Sequence, residues 1–96
     1  MSLSEHEVSE LIKDIPQWQS ISEEGAMKLR REYRFKNFVE ALAFTNKVGD
    51  IAEAEDHHPD ILLEWGKATV TWWSHNVKGL TQNDFTMASK TDALYE

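Results

Sequence analysis

The sequence predicts an α+β fold, a two-layer arrangement in which a four-stranded antiparallel sheet carries three helices on one face, in the order α-β-β-α-β-β-α. Three observations predict it. Ser22-Glu23-Glu24-Gly25 and Trp65-Gly66-Lys67 are hairpin turn signals, each flanked by runs of strand character. Three other segments space their apolar residues as helices do, behind residues suited to capping. No strand-helix-strand regularity runs through the chain, which argues against a parallel sheet.

Taken in order, Ser4 to Asp14 forms a short helix with Ser4 as N-cap, Glu5 and Glu7 in its first turn, and Val8, Leu11, Ile12 and Ile15 as an apolar stripe. Pro16 ends it. Gln17 to Ser22 alternates as a first strand, and the return strand runs from Met27 to Phe35. Met27, Leu29, Arg31, Tyr33 and Phe35 fall on one face of that strand, with Lys28, Arg30, Glu32 and Arg34 on the other. Asn37 caps a long helix from Phe38 to Asp56, whose Phe38, Ala41, Leu42, Phe44, Val48, Ile51 and Ala52 cover about half the circumference at roughly 100° per residue. That is wider than one sheet contact requires. Either the helix is deeply buried or part of this face meets another subunit, and the small size of the chain favours the second. Gly49 lowers helix propensity and offers room for a close neighbour. Ile61 to Trp65 and Ala68 to His75 form the second hairpin. Ala68, Val70, Trp72 and Ser74 point one way, and Thr69, Thr71, Trp73 and His75 the other. Thr81-Gln82-Asn83-Asp84 opens the last helix with a capping-box pattern, and Phe85, Ala88 and Leu94 pack inward.

Ninety-six residues suit a single domain spanning 1–96. With 17 acidic and 10 basic residues the formal charge is −7, which disfavours binding to a phosphate backbone. The one basic cluster, Lys28 to Lys36, reads as the wet face of a strand, with an anionic-ligand patch as the alternative. The absence of cysteine excludes disulfides, thiolate nucleophiles and sulfur-ligated metal. No apolar run reaches the roughly 18 residues of a membrane span, and Met1 to Glu10 is too polar for a signal peptide. A cytoplasmic protein with no membrane and no direct nucleic-acid partner is the expectation.

Chemistry concentrates in Glu53-Ala54-Glu55-Asp56-His57-His58-Pro59, at the end of the long helix. On a continuing helix Glu53 and His57 are an i, i+4 pair within side-chain reach. Pro59 stops the helix and pushes His58 into extended geometry, so the two adjacent imidazoles leave the backbone in different directions. His75 lies at the end of the last strand, where a strand end and a helix end can meet. An imidazole titrates near neutral pH, at roughly 6.5 without perturbing neighbours, as proton-transfer catalysis requires. The competing interpretation is a solvated cluster of polar residues at a helix C-cap. His6 reads as a surface residue of the first helix.

These residues resemble the pterin-4a-carbinolamine dehydratase family, also known as dimerization cofactors of a homeodomain transcription factor, from about Trp18 to Ala93. The resemblance rests on Glu53-x3-His57-His58-Pro59, an aromatic at Trp65, His75, Gly79-Leu80-Thr81 and Asp84, with Phe35, Phe38, Ala41 and Phe44 at core positions. Trp65-Gly66 stands where Tyr-Asn is common, and Trp73 is bulkier than the small residue of many members. The resemblance implies dehydration of 4a-hydroxytetrahydropterin to quinonoid dihydropterin, in the recycling of tetrahydrobiopterin for aromatic amino-acid hydroxylases. It implies no metal and no cofactor. His57, His58 and His75 would surround the pterin, supported by the carboxylates of Glu53, Asp56 and Asp84, with Pro59, Ser74, Asn76 and Val77 lining the pocket. His57 and His75 are the expected acid/base pair, with either one as the acid, and His58 is expected to bind and orient. Glu53 is expected to orient His57, and Asp84 to hold a ring nitrogen of the pterin or His75. A homodimer or homotetramer is the expected assembly.

Two rivals stand beside this. Three histidines and a carboxylate can make a zinc or iron site, although adjacent His57 and His58 diverge where helical zinc ligands are spaced i, i+4. A non-enzymatic oligomerisation or coactivator-binding module on the same fold would use the apolar helix face from Phe38 to Ala52.

Overall fold

Central in the sheet is its last strand, β4 (Lys67–Trp72), hydrogen-bonded on one side to β2 (Ala26–Arg34) and on the other to β3 (Asp60–Glu64). β1 (Gln19–Glu23) completes the antiparallel order β1-β2-β4-β3. This computed structural model describes residues 2–95, so the two terminal residues of the expected 1–96 domain lie outside it. The helices are α1 (Glu5–Leu11), continued by one 3₁₀ turn, α2 (Phe38–Glu55) and α3 (Gln82–Ala93). The α-β-β-α-β-β-α order agrees with the sequence, and apart from the end of β4 the strand ends slip by one or two residues.

Local chemistry explains the turns. Between Glu23 and Ala26, Glu24 and Gly25 both take positive φ, 53° and 79°, as a two-residue turn matched to strand twist requires. In the second hairpin Gly66 accepts a 2.8 Å hydrogen bond from the Phe35 N–H. A Cβ there would stand 2.9 Å from the Phe35 carbonyl oxygen, so only glycine permits this approach.

Register decides what the helices cover. Leu29 pairs with Trp72, Arg31 with Val70 and Tyr33 with Ala68, which puts Leu29, Tyr33, Ala68, Val70 and Trp72 into the buried layer. α2 meets them with Ala41, Phe44, Val48 and Ala52, and α3 with Phe85, Met87, Ala88 and Thr91. α1 adds Val8 behind a Ser4–Glu7 capping box. Asp92 fastens the end of α3 to the sheet. Its Oδ1 accepts from Trp18 Nε1 at 3.0 Å, an Arg31 guanidinium nitrogen at 2.7 Å and the Tyr33 hydroxyl at 2.5 Å. Burial, and then the adjacent carboxylate, push the Tyr33 phenol above its ordinary range.

Two expectations are corrected. Lys28 is not on a wet face: it is 3% exposed, paired with Glu23 and Glu24 and covered by Trp73. Arg30 is likewise engaged, with Glu23 and Thr71. β4 ends at Trp72 rather than His75, because Ser74 pairs back to Gly79 and the intervening residues form a turn with Lys78 in left-handed conformation. On the broad apolar face of α2, Phe38 stays 42% and Leu42 40% exposed, with Val39 beside them 74% exposed, so of the two alternatives for that face deep burial within this chain does not hold. At Gly49 an added Cβ meets nothing within 4 Å, so no close neighbour in this chain requires the glycine.

Gly49→Ala is therefore expected to stabilise the protein by about 0.5–1 kcal/mol through helix propensity alone, measured by urea denaturation. Destabilisation would place another chain against that position.

Candidate active site

α2 ends in a way that redirects its polar cluster. Asp56 adopts the left-handed conformation (φ 52°, ψ 43°), its N–H donates to the Glu53 carbonyl at 3.3 Å, and the His57 N–H donates to the Ala52 carbonyl at 3.1 Å. This is a Schellman cap. His57 consequently lies outside the helix, and the i, i+4 relation expected with Glu53 does not hold. Glu53 bonds instead to His58, with its carboxylate 2.5 Å from Nε2. Both of those side chains are largely exposed.

His57 turns inward. Its Nε2 lies 2.6 Å from Asp84 Oδ1, and its ring stacks on Trp72 at 5.4 Å between centroids, with planes 21° apart. The indole is itself anchored through a 3.0 Å hydrogen bond from Nε1 to Thr91 Oγ1. Asp84 thus serves neither of the partners expected for it; it holds His57.

Asp84 is fully buried in the first turn of α3. Its Oδ2 accepts from Ser74 Oγ at 2.7 Å and from the Thr81 N–H at 2.9 Å. Such donors, together with the positive end of the helix dipole, suit an ionised carboxylate. An ionised carboxylate is an acceptor only, so the proton between Asp84 and His57 belongs to Nε2 and leaves Nδ1 as the unprotonated nitrogen of the neutral ring.

Between these elements opens a cleft of about 700 Å³, lined by Asp56, His57, His58, Ser74, His75, Asn76, Val77, Thr81 and Asn83. Its volume falls in the range of small-molecule sites, about 300–1,000 Å³. All three expected histidines line it, as do Asp56, Ser74, Asn76 and Val77. Glu53 acts on it through His58, Asp84 lies behind His57, and Pro59 is not part of the lining. Thr81 and Asn83 line the cleft as well, outside the expected set; the signal that could have found them is the capping box that joins Thr81 to Asp84 in the first turn of α3. His75 occupies the turn after β4, with its ring 3.9 Å from that of Trp73 and the planes 28° apart. His6 is exposed on α1, outside the cleft. Among the described residues no group of three His, Asp or Glu stands together as a metal site.

The sequence profile of the family described as "Pterin 4 alpha carbinolamine dehydratase" matches residues 1–94. A provisionally named pterin-4-alpha-carbinolamine dehydratase of Marinobacter nauticus is 58% identical over 93 residues, covering 97% of this chain and 84% of that protein. The crystal structure of a transcriptional coactivator/pterin dehydratase from Brucella melitensis aligns over the whole of both chains with a TM-score of 0.91 and 30% identity. A pterin dehydratase-like protein, identified as a RuBisCO assembly factor in the alpha-carboxysome, shares the fold at a TM-score of 0.68 and 18% identity, over 81% of this chain and 88% of its own.

Asp84→Asn tests the anchoring of His57. It is expected to lower stability by about 1–3 kcal/mol and to remove the preference of the neutral His57 ring for the Nε2–H tautomer, read by ¹⁵N NMR. A neutral wild-type His57 with its single ring proton on Nδ1 would contradict the assignment.

Proposed function

Because the chain belongs to the pterin 4 alpha carbinolamine dehydratase family, we propose that its cleft dehydrates 4a-hydroxytetrahydropterin to quinonoid dihydropterin and water by histidine acid/base catalysis, in tetrahydrobiopterin recycling. In this reaction the C4a–O bond breaks, the departing hydroxyl gains a proton, and a ring nitrogen loses one as the quinonoid double bond forms. The site therefore needs a proton donor and a proton acceptor around one flat ring. The observation that carries the proposal is the meeting of His57, His58 and His75 on one cleft, with Nε2 of His57 committed to a buried carboxylate.

That commitment favours His57 as the base. Its Nδ1 takes the ring-nitrogen proton, and Asp84 stabilises the resulting imidazolium without moving. His75, which lines the same cleft without a carboxylate partner among the described residues, donates to the leaving hydroxyl. His58, tied to Glu53 and largely exposed, binds and orients. Ser74 and Thr81 act one step further back by keeping Asp84 an acceptor.

A second reading is favoured by Phe38, Val39 and Leu42, large apolar side chains left exposed on α2. Such a surface suits a homodimer, a homotetramer or another protein partner. The coactivator name of the Brucella protein supports carrying this reading, as an oligomerisation or coactivator-binding module, beside the enzymatic one.

The deciding experiment follows the absorbance decay of 4a-hydroxytetrahydropterin with wild type, His57→Ala and His75→Ala. Wild type is expected to accelerate the decay, and each variant to lose about 10²–10⁴-fold of that acceleration. Glu53→Gln, which touches only His58, is expected to stay within about tenfold of wild type. A folded wild type without acceleration would leave the binding-module reading.

A further inference from the structure

The three cleft histidines are not held alike. His57 has Asp84 and His58 has Glu53, each at a ring nitrogen. The His75 ring has no hydrogen bond among the described residues, and it sits in an exposed turn. What orders it is the stack on Trp73, at 3.9 Å between centroids. Face stacking fixes the plane of an imidazole while leaving both nitrogens, which lie in that plane, free for proton transfer.

Trp73 is itself tightly constrained. The Lys28 ammonium stands over its ring, 4.3 Å from the centroid. Lys28 is nearly fully buried, with its Nζ 3.4 Å from Glu23 and 3.8 Å from Glu24. The two carboxylates thus hold the ammonium where it attracts the indole face. Trp73 Nε1 is buried with no hydrogen-bond partner among the described residues. An indole that leaves its N–H unpaired is placed by packing and by the cation, not by that N–H. Trp73 does not line the cleft, so its influence passes through His75.

The geometry points to Trp73 as the positioning residue of His75, a platform steadied by Lys28 that fixes the imidazole plane against the bound substrate. This rests on the acid/base reading of the cleft. Loss of the platform leaves His75 chemically intact and poorly aimed, which lowers kcat while sparing KM.

The test combines kinetics with proton NMR of the His75 ring in Trp73→Ala, Trp73→Phe and Lys28→Met. Wild-type His75 ring protons are expected upfield, shielded by the indole. Trp73→Ala is expected to abolish that shielding and lower kcat about tenfold or more, with KM within about twofold; Trp73→Phe, which restores a stacking face, is expected to recover kcat to within about threefold of wild type. Should Trp73→Ala fail to fold, Lys28→Met carries the test, with weakened shielding and a kcat reduced about threefold. Wild-type kcat in Trp73→Ala or Lys28→Met, or an equal loss in Trp73→Phe and Trp73→Ala, would overturn the proposal. If His75→Ala were inactive while Trp73→Ala kept full activity, the dehydratase would stand and the platform would fall. A wild type without dehydration would sink the acid/base reading itself, and the platform's role with it.

Discussion

One buried carboxylate organises the site. Removing Asp84 from water is costly unless its charge is met by donors, an effective penalty of several kcal/mol per ion in real proteins. The donors come from three separate stretches of chain: His57 beyond α2, Ser74 beyond β4, and Thr81 at the start of α3. Satisfying one acceptor therefore draws together the three segments that wall the cleft. The same bonds fix which nitrogen of His57 carries its proton, so the interaction that closes the fold locally also prepares the chemistry.

Trp72 joins this region to the rest of the core. Its face supports His57 and its N–H reaches Thr91, one residue before the carboxylate that fastens the far end of α3 to Trp18, Arg31 and Tyr33. α3 is thus held at both ends by aspartates that accept from aromatic or imidazole groups. A helix held at two points cannot rotate its N-terminus away from the cleft without breaking both clusters. The fold supplies rigidity where the proposed reaction needs proton donors and acceptors in fixed positions.

Much of this architecture was legible in the sequence, because the signals were local. Turn chemistry at Glu24-Gly25 and Trp65-Gly66, caps at Ser4, Asn37 and Thr81, and the alternation of Leu29, Arg31 and Tyr33 each depend on a few neighbouring residues. The site was legible as a set of residues and not as a set of pairings. Glu53 was expected on His57 because helical spacing was extended past the helix end; the left-handed Asp56 breaks that spacing, and few local cues mark an aspartate as a left-handed cap. Lys28 was expected in water because alternation identifies a face without telling what covers it. Trp73, remote in sequence, covers it. Long-range partners of this kind have no periodic signature.

Whether the three histidines form one pterin site is decided by a titration of ¹⁵N-histidine-labelled protein with a stable dihydropterin. The rings of His57, His58 and His75 are expected to shift together as the ligand saturates, with the His57 proton retained on Nε2 and His6 unmoved. Saturable binding that leaves those three rings unchanged would put the pterin elsewhere and contradict that expectation.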